Sequence, residues 1–96
     1  MDREQILLLL KQHRTEIREM GIRSLSLFGS VAREEAGPDS DVDLLVEFSP
    51  PYTFDRYIKA KFFLEDLLGH QVDLVMHEAL KPRARSSVEK DSIRVA

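Results

Sequence analysis

The chain contains no cysteine and no tryptophan. Without thiols it can form no disulfide, no thiolate metal site and no cysteine nucleophile, so its chemistry must come from oxygen and nitrogen groups. Long hydrophobic runs are also missing. The longest, Ile6 to Leu10, falls far short of the roughly 20 residues that cross a bilayer and lacks the layout of a signal peptide. A cytoplasmic protein is expected. Glycine and proline number four each, too few for a linker-rich or disordered chain. Net charge is −3, without the positive excess of a general phosphate-backbone binder, and direct nucleic-acid binding is not expected.

What is present is 96 residues, read as one domain over 1–96. A chain of this size buries only about 60–70% of its unfolded surface, which leaves no room for a separate substrate-binding domain. Charge is uneven: Lys81, Arg83, Arg85, Lys90 and Arg94 face only Glu89 and Asp91 across the last stretch. That segment reads as a solvated helix or as a surface for an acidic partner or polyphosphate.

Periodicity gives a coarse map. Asp2 and Gln5 form a capping-box pattern, and Ile6, Leu9, Leu10, His13, Ile17 and Met20 recur at helical spacing up to Gly21, predicting one helix. Arg23 to Phe28 alternates as a half-buried strand with Leu25 and Leu27 inward. Ser30 is placed to cap a short helix over Val31–Ala36, and Gly37-Pro38-Asp39 breaks the chain. Val42–Phe48 reads as a second strand. After the Ser49-Pro50-Pro51 turn, Phe54, Tyr57, Ile58, Phe62, Leu64, Leu67 and Leu68 predict a long amphipathic helix closed by Gly69. Gln71–Met76 reads as a third strand, Pro82 opens a helix over Arg83–Lys90, and Ile93–Val95 is extended. The order α-β-α-β-α-β-α predicts an α/β (α+β) layer with helices on a small mixed three-stranded sheet.

Within the second strand Val42, Leu44, Val46 and Phe48 share one face, and Asp41, Asp43, Leu45 and Glu47 the other. Asp41 and Asp43 project the same way, with Cα atoms about 6.6 Å apart at about 3.3 Å of rise per residue. Carboxylates so close repel unless a cation or solvent compensates. Asp73 repeats the device among the apolar residues of the third strand. If the two strands are neighbours, three carboxylates converge, a donor set suited to two hard cations. Asp39 to Asp43 also imitates the start of a calcium loop, but Leu44 and Pro50 stand where that loop needs Gly and Glu. Ahead of the carboxylates, Gly29 and Ser30 end a strand and open a helix with Arg33 one turn on, a constellation that binds phosphate.

Gly29-Ser30-x-x-Arg33, followed by Ser40-Asp41-x-Asp43 and by Asp73 on a later strand, resembles the nucleotidyltransferase signature of the DNA polymerase β-like superfamily. The length and the runs Phe28–Arg33 and Ser40–Val46 resemble, more narrowly, the minimal nucleotidyltransferases (MNT) of prokaryotes. The resemblance implies transfer of AMP from ATP to a hydroxyl. Asp41, Asp43 and Asp73 would be the catalytic carboxylates holding two Mg²⁺ ions, with Gly29, Ser30 and Arg33 on the nucleotide phosphates. Members often carry Gly after the Arg, where this chain has Glu34. Proteins of this type resemble the antitoxins of two-component modules that AMPylate a tyrosine of a HEPN ribonuclease toxin, so a HEPN-type toxin is the implied partner. Two other readings remain open: a non-catalytic antitoxin acting by occlusion, and a small-molecule (aminoglycoside-type) nucleotidyltransferase acting as a homodimer. His13, His70 and His77 have no mutual ligand spacing and carry no assigned chemistry. Tyr52 and Tyr57 are conceivable acceptors of a self-reaction.

Overall fold

The computed structural model describes residues 2–37 and 40–96. The expected break at Pro38-Asp39 lies outside the described residues; Gly37 is described as exposed chain without regular structure. The first helical stretch is two helices, α1 (Arg3–Gln12) and α2 (Arg14–Glu19), rather than one. Asp2 and Gln5 do form the capping box. The break falls at His13, whose ring Nδ1 lies 2.9 Å from the Leu9 carbonyl, a local side-chain bond that competes with the helical ladder.

Strand β1 (Ile22–Phe28) follows, then the one-turn helix α3 (Gly29–Ala32), β2 (Val42–Phe48), α4 (Phe54–Leu68) and β3 (Val72–Met76). A 3₁₀ turn over His77–Ala79 leads to α5 (Pro82–Asp91) and the two-residue β4 (Ile93–Arg94). The sheet therefore has four strands, in the order β3-β2-β1-β4, not three. The segment Ile93–Val95 is extended as expected, and it pairs antiparallel with β1, where Ser26 faces Arg94 and Leu27 faces Ile93. A two-residue strand carries too little alternation to be seen in a sequence. β1 and β2 are antiparallel, whereas β2 and β3 are parallel and are joined through α4. A parallel pair needs such a crossover.

One face of the sheet is the core. Leu25, Leu27, Leu44, Val46, Phe48, Val72 and Leu74 are buried there beneath Ile6, Leu10 and Ile17 of the first two helices and Ala60, Leu64 and Leu68 of α4. Each such side chain contributes about 1.5–3 kcal/mol by leaving water. The expected stripe on α4 is only partly right: Phe54 and Phe62 are 77% and 60% exposed. Small Ala60 defines the seam with Leu64 and Leu68, and a helix rotated to bury that seam turns residues 54 and 62 outward. The opposite face of the sheet carries Asp43 and Asp73 and is partly covered by α5, which packs on α3 and β1. α5 has no buried residue; it is tied down by Arg33–Asp91 (3.6 Å) and His77–Glu89 (3.0 Å). Among the described residues no helix is long and apolar enough to cross a membrane.

Candidate functional site

The pairing register brings the two strand carboxylates together. Asp43 on β2 lies directly opposite Asp73 on β3, so their Cα atoms are one inter-strand spacing apart, about 4.8 Å. The parallel register puts both side chains on the sheet face away from the core, since their neighbours Val42, Leu44, Val72 and Leu74 are all buried. Asp41 stands just before β2 and is exposed, Asp73 is exposed on an edge strand, and Asp43 between them is half-buried.

Electrostatics records the crowding. The Asp43 carboxyl is raised above its ordinary pKa, chiefly by burial, next by the charge of Asp73 and then by that of Asp41; Arg33 pulls the other way. Asp73, Asp41 and Arg33 are thus each within electrostatic reach of Asp43. The three aspartates do not form the tightest ligand cluster. Among the described residues that is Glu47, His77 and Glu78, whose donor atoms lie within 4.8 Å of one another. This cluster escaped the sequence reading because Glu47 and His77 meet only through the strand register. It is internally engaged: one His77 nitrogen lies 3.0 Å from Glu89 and the other 3.9 Å from Glu47, so the imidazole serves to tie α5 to the sheet.

The glycine-serine turn abuts the carboxylates. Phe28, the last residue of β1, is the register partner of Asp43, and Gly29 follows with φ +75°. A Cβ at Gly29 would run into the Asp43 carboxylate, whose Cγ lies 2.9 Å from that position. Both the left-handed backbone and the close approach therefore require glycine. Ser30 is not the cap expected of it: the helix starts at Gly29 with Phe28 in the N-cap position and no side-chain cap bond. The positive φ of Gly29 starts the helix early and places Ser30 inside its first turn, where backbone N–H groups lack helical partners.

Helix α3 also stops earlier than Ala36. The Glu35 N–H reaches the Ser30 carbonyl at 2.8 Å and the Glu34 N–H reaches Val31 at 3.0 Å, the paired bonds of a Schellman close with Glu34 in the left-handed position. Glu34 has φ +59°, the one positive value for a non-glycine among the described residues. The left-handed position explains why the resemblance leads one to expect glycine there. Glu34 is held by Arg3 at 3.2 Å, and Arg3 also donates to the Ala32 carbonyl. Arg33 is paired with Glu35 at 3.1 Å and Asp91 at 3.6 Å, and its pKa is raised, first by the Glu35 hydrogen bond.

The remaining candidates have structural positions. His13 bonds Leu9, and the Tyr57 hydroxyl donates to the Leu74 carbonyl at 2.6 Å, which commits it to the α4–β3 contact. Tyr52 is exposed. Gly29, Ser30, Asp43 and Asp73 thus meet at one end of the sheet, with Asp41 and Arg33 at its margin.

Comparison with known proteins places this arrangement. The model of the nucleotidyltransferase domain matches residues 10–95. The chain is 41% identical over 93 residues to the protein adenylyltransferase MntA of Thermococcus cleftensis, covering 96% of this chain and 94% of the relative. A solved candidate minimal nucleotidyltransferase superposes with TM-score 0.86 at 39% identity, over 97% of this chain and 95% of that one. A Shewanella oneidensis complex, a tri-AMPylated HEPN toxin with MNT antitoxin, superposes with TM-score 0.66 at 17% identity over 94% of this chain and 71% of that one, a likeness of fold. With a glycine turn closed on paired strand aspartates, and a family model matched along nearly its whole length, the chain belongs to the nucleotidyltransferase-domain family and is a minimal nucleotidyltransferase.

Proposed function

We propose that residues 1–96 act as one catalytic domain, a Mg²⁺-dependent protein adenylyltransferase. Its reaction moves AMP from ATP to a hydroxyl, that of a tyrosine on a HEPN-type toxin, and the chain thereby serves as antitoxin. The observation that carries this reading is the in-register pairing of Asp43 with Asp73 against the Gly29 turn. The name of the Thermococcus relative and the tri-AMPylated toxin bound to the Shewanella MNT antitoxin support the choice of AMP and of a protein acceptor.

The residues fit a divalent metal. Carboxylate oxygens are hard donors suited to Mg²⁺, and Asp43 is held in a site that disfavours its own charge, a condition that a cation relieves. Asp41 and Asp43 would hold two ions, and Asp73 would complete the one nearest the acceptor. When bound, the metal supplies Lewis-acid polarisation of phosphate oxygens and lowers the pKa of the acceptor hydroxyl.

The chain's own groups do the rest. Gly29 lets backbone approach the β and γ phosphates, Ser30 offers a hydroxyl donor, and Arg33 exchanges its exposed carboxylate partners for the phosphate tail. Asp73 stands at the exposed edge of the sheet, where a hydroxyl from another molecule can reach. The acceptor oxygen bonds to the α phosphorus, the bond to the β-phosphate oxygen breaks, pyrophosphate leaves and the hydroxyl proton passes to solvent.

Incubation of the protein with its HEPN-type partner, ATP and Mg²⁺, followed by intact-mass and peptide mass spectrometry, tests this. The toxin should gain AMP on a tyrosine with the wild-type protein and gain none with Asp43→Asn or Asp73→Asn. A toxin that stays unmodified while ATP is bound would overturn the reading.

A further inference from the structure

Away from the aspartates, Lys11 of α1, Arg14 and Arg18 of α2 and Arg94 of β4 line one cavity of about 290 Å³, together with Val95 and Ala96. The chain is acidic, yet this cavity gathers four cations. No ion pair is recorded for Lys11, Arg14 or Arg18 among the described residues, whereas Arg3, Arg23, Arg33 and Lys59 each have a carboxylate partner. Arg94 differs from the other three, because its Nε already donates to an oxygen of Ala96 at 2.8 Å and only its remaining N–H groups are open to a ligand.

Placing these cations together works against the fold. Arg14 and Arg18 are four residues apart on α2, a spacing at which like charges on a helical surface repel, and Lys11 at the end of α1 lines the same cavity. Arg94 joins them because β4 pairs with the outer edge of β1, bringing a residue from the end of the chain beside the first two helices. Guanidinium groups present planar, forked donors that match phosphate oxygens two at a time. The cavity is concave and near the lower size limit of ligand pockets, and its apolar lining is Val95 and Ala96. It offers no aromatic ring for a base.

We propose that this cavity is a second anion site, specific for phosphate oxyanions and separate from the aspartate site, from which the strand β1 divides it. A compact free phosphate compound and a terminal phosphate on RNA share that chemistry.

Titration of the ¹⁵N-labelled protein with inorganic pyrophosphate in chelator, followed through the arginine Nε–H signals, tests the proposal. Saturable shifts of Arg14, Arg18 and Arg94 are expected. Each of Arg14→Gln and Arg18→Gln should weaken binding about tenfold, the consequence of losing one charge-assisted hydrogen bond. Arg94→Gln is a second probe on a different element, should the helix variants lose structure. In a parallel arm, a short 5′-phosphorylated RNA that binds more tightly than pyrophosphate identifies nucleic acid as the source, and equal affinity identifies the free anion; either supports the site. Shifts confined to Gly29–Arg33, shifts that never saturate, or binding unchanged in all three variants would overturn it.

Discussion

Adding a single carbon at Gly29 probes how the turn meets the carboxylates. Alanine there would have to adopt φ +75° with its Cβ against Asp43, and the left-handed backbone alone costs about 1–2 kcal/mol. Gly29→Ala should lower stability by about 2 kcal/mol or more in chemical denaturation; an unchanged midpoint would mean that the turn tolerates a side chain. Asp43 makes a prediction about pH. Its folded pKa is raised, so its contribution to stability is full below the ordinary carboxylate pKa and is lost as pH rises through the raised value. In chelator, Asp43→Asn should therefore melt above wild type near neutral pH, with the gap closing on acidification; a lower melting temperature at every pH would contradict this. Glu34 sits strained at φ +59°, and its ion pair with Arg3 is exposed on the Glu34 side, worth about 1 kcal/mol. Glu34→Gly should thus raise stability by up to about 1 kcal/mol, and Glu34→Ala, which keeps the strain and loses the pair, should lower it.

Among the elements, α4 separates what hydrophobic pattern can and cannot say. Leu64→Ala should cost about 2–5 kcal/mol because Leu64 is fully buried. Phe62→Ser should change stability by no more than about 0.5 kcal/mol, and comparing their denaturation midpoints checks the rotation of the helix. The length and the Gly69 close of α4 were legible from sequence, as were β1, β2, β3 and α5 to within a residue or two. The choice between two overlapping apolar stripes was not, because it depends on the close fit at Ala60. The Asp41, Asp43 and Asp73 pattern was legible, since an acidic residue inside a strand-like apolar run is conspicuous. The pairing of Asp43 with Asp73, the Schellman close at Glu34, the break at His13 and strand β4 depend on register or on local side-chain bonds, which leave no periodic signal.

For the whole molecule, the sheet divides the labour: one face buries the apolar core, and the other carries Asp43 and Asp73, the latter exposed on the edge strand β3. α5 lies over that second face with no buried residue, held at its end by Asp91 on Arg33, so its amides should exchange with solvent well before those of β2 in hydrogen-exchange measurements. In the proposed reaction the carboxylates direct attack at the α phosphorus. With the HEPN-type partner and Mg²⁺ present, label from ATP carrying ³²P at the α position should appear on the partner, and label at the γ position should not. Asp43→Asn should transfer neither. Neutralisation of the toxin with no label transferred, equally by wild type and Asp43→Asn, would contradict the account and leave a protein that acts by occlusion.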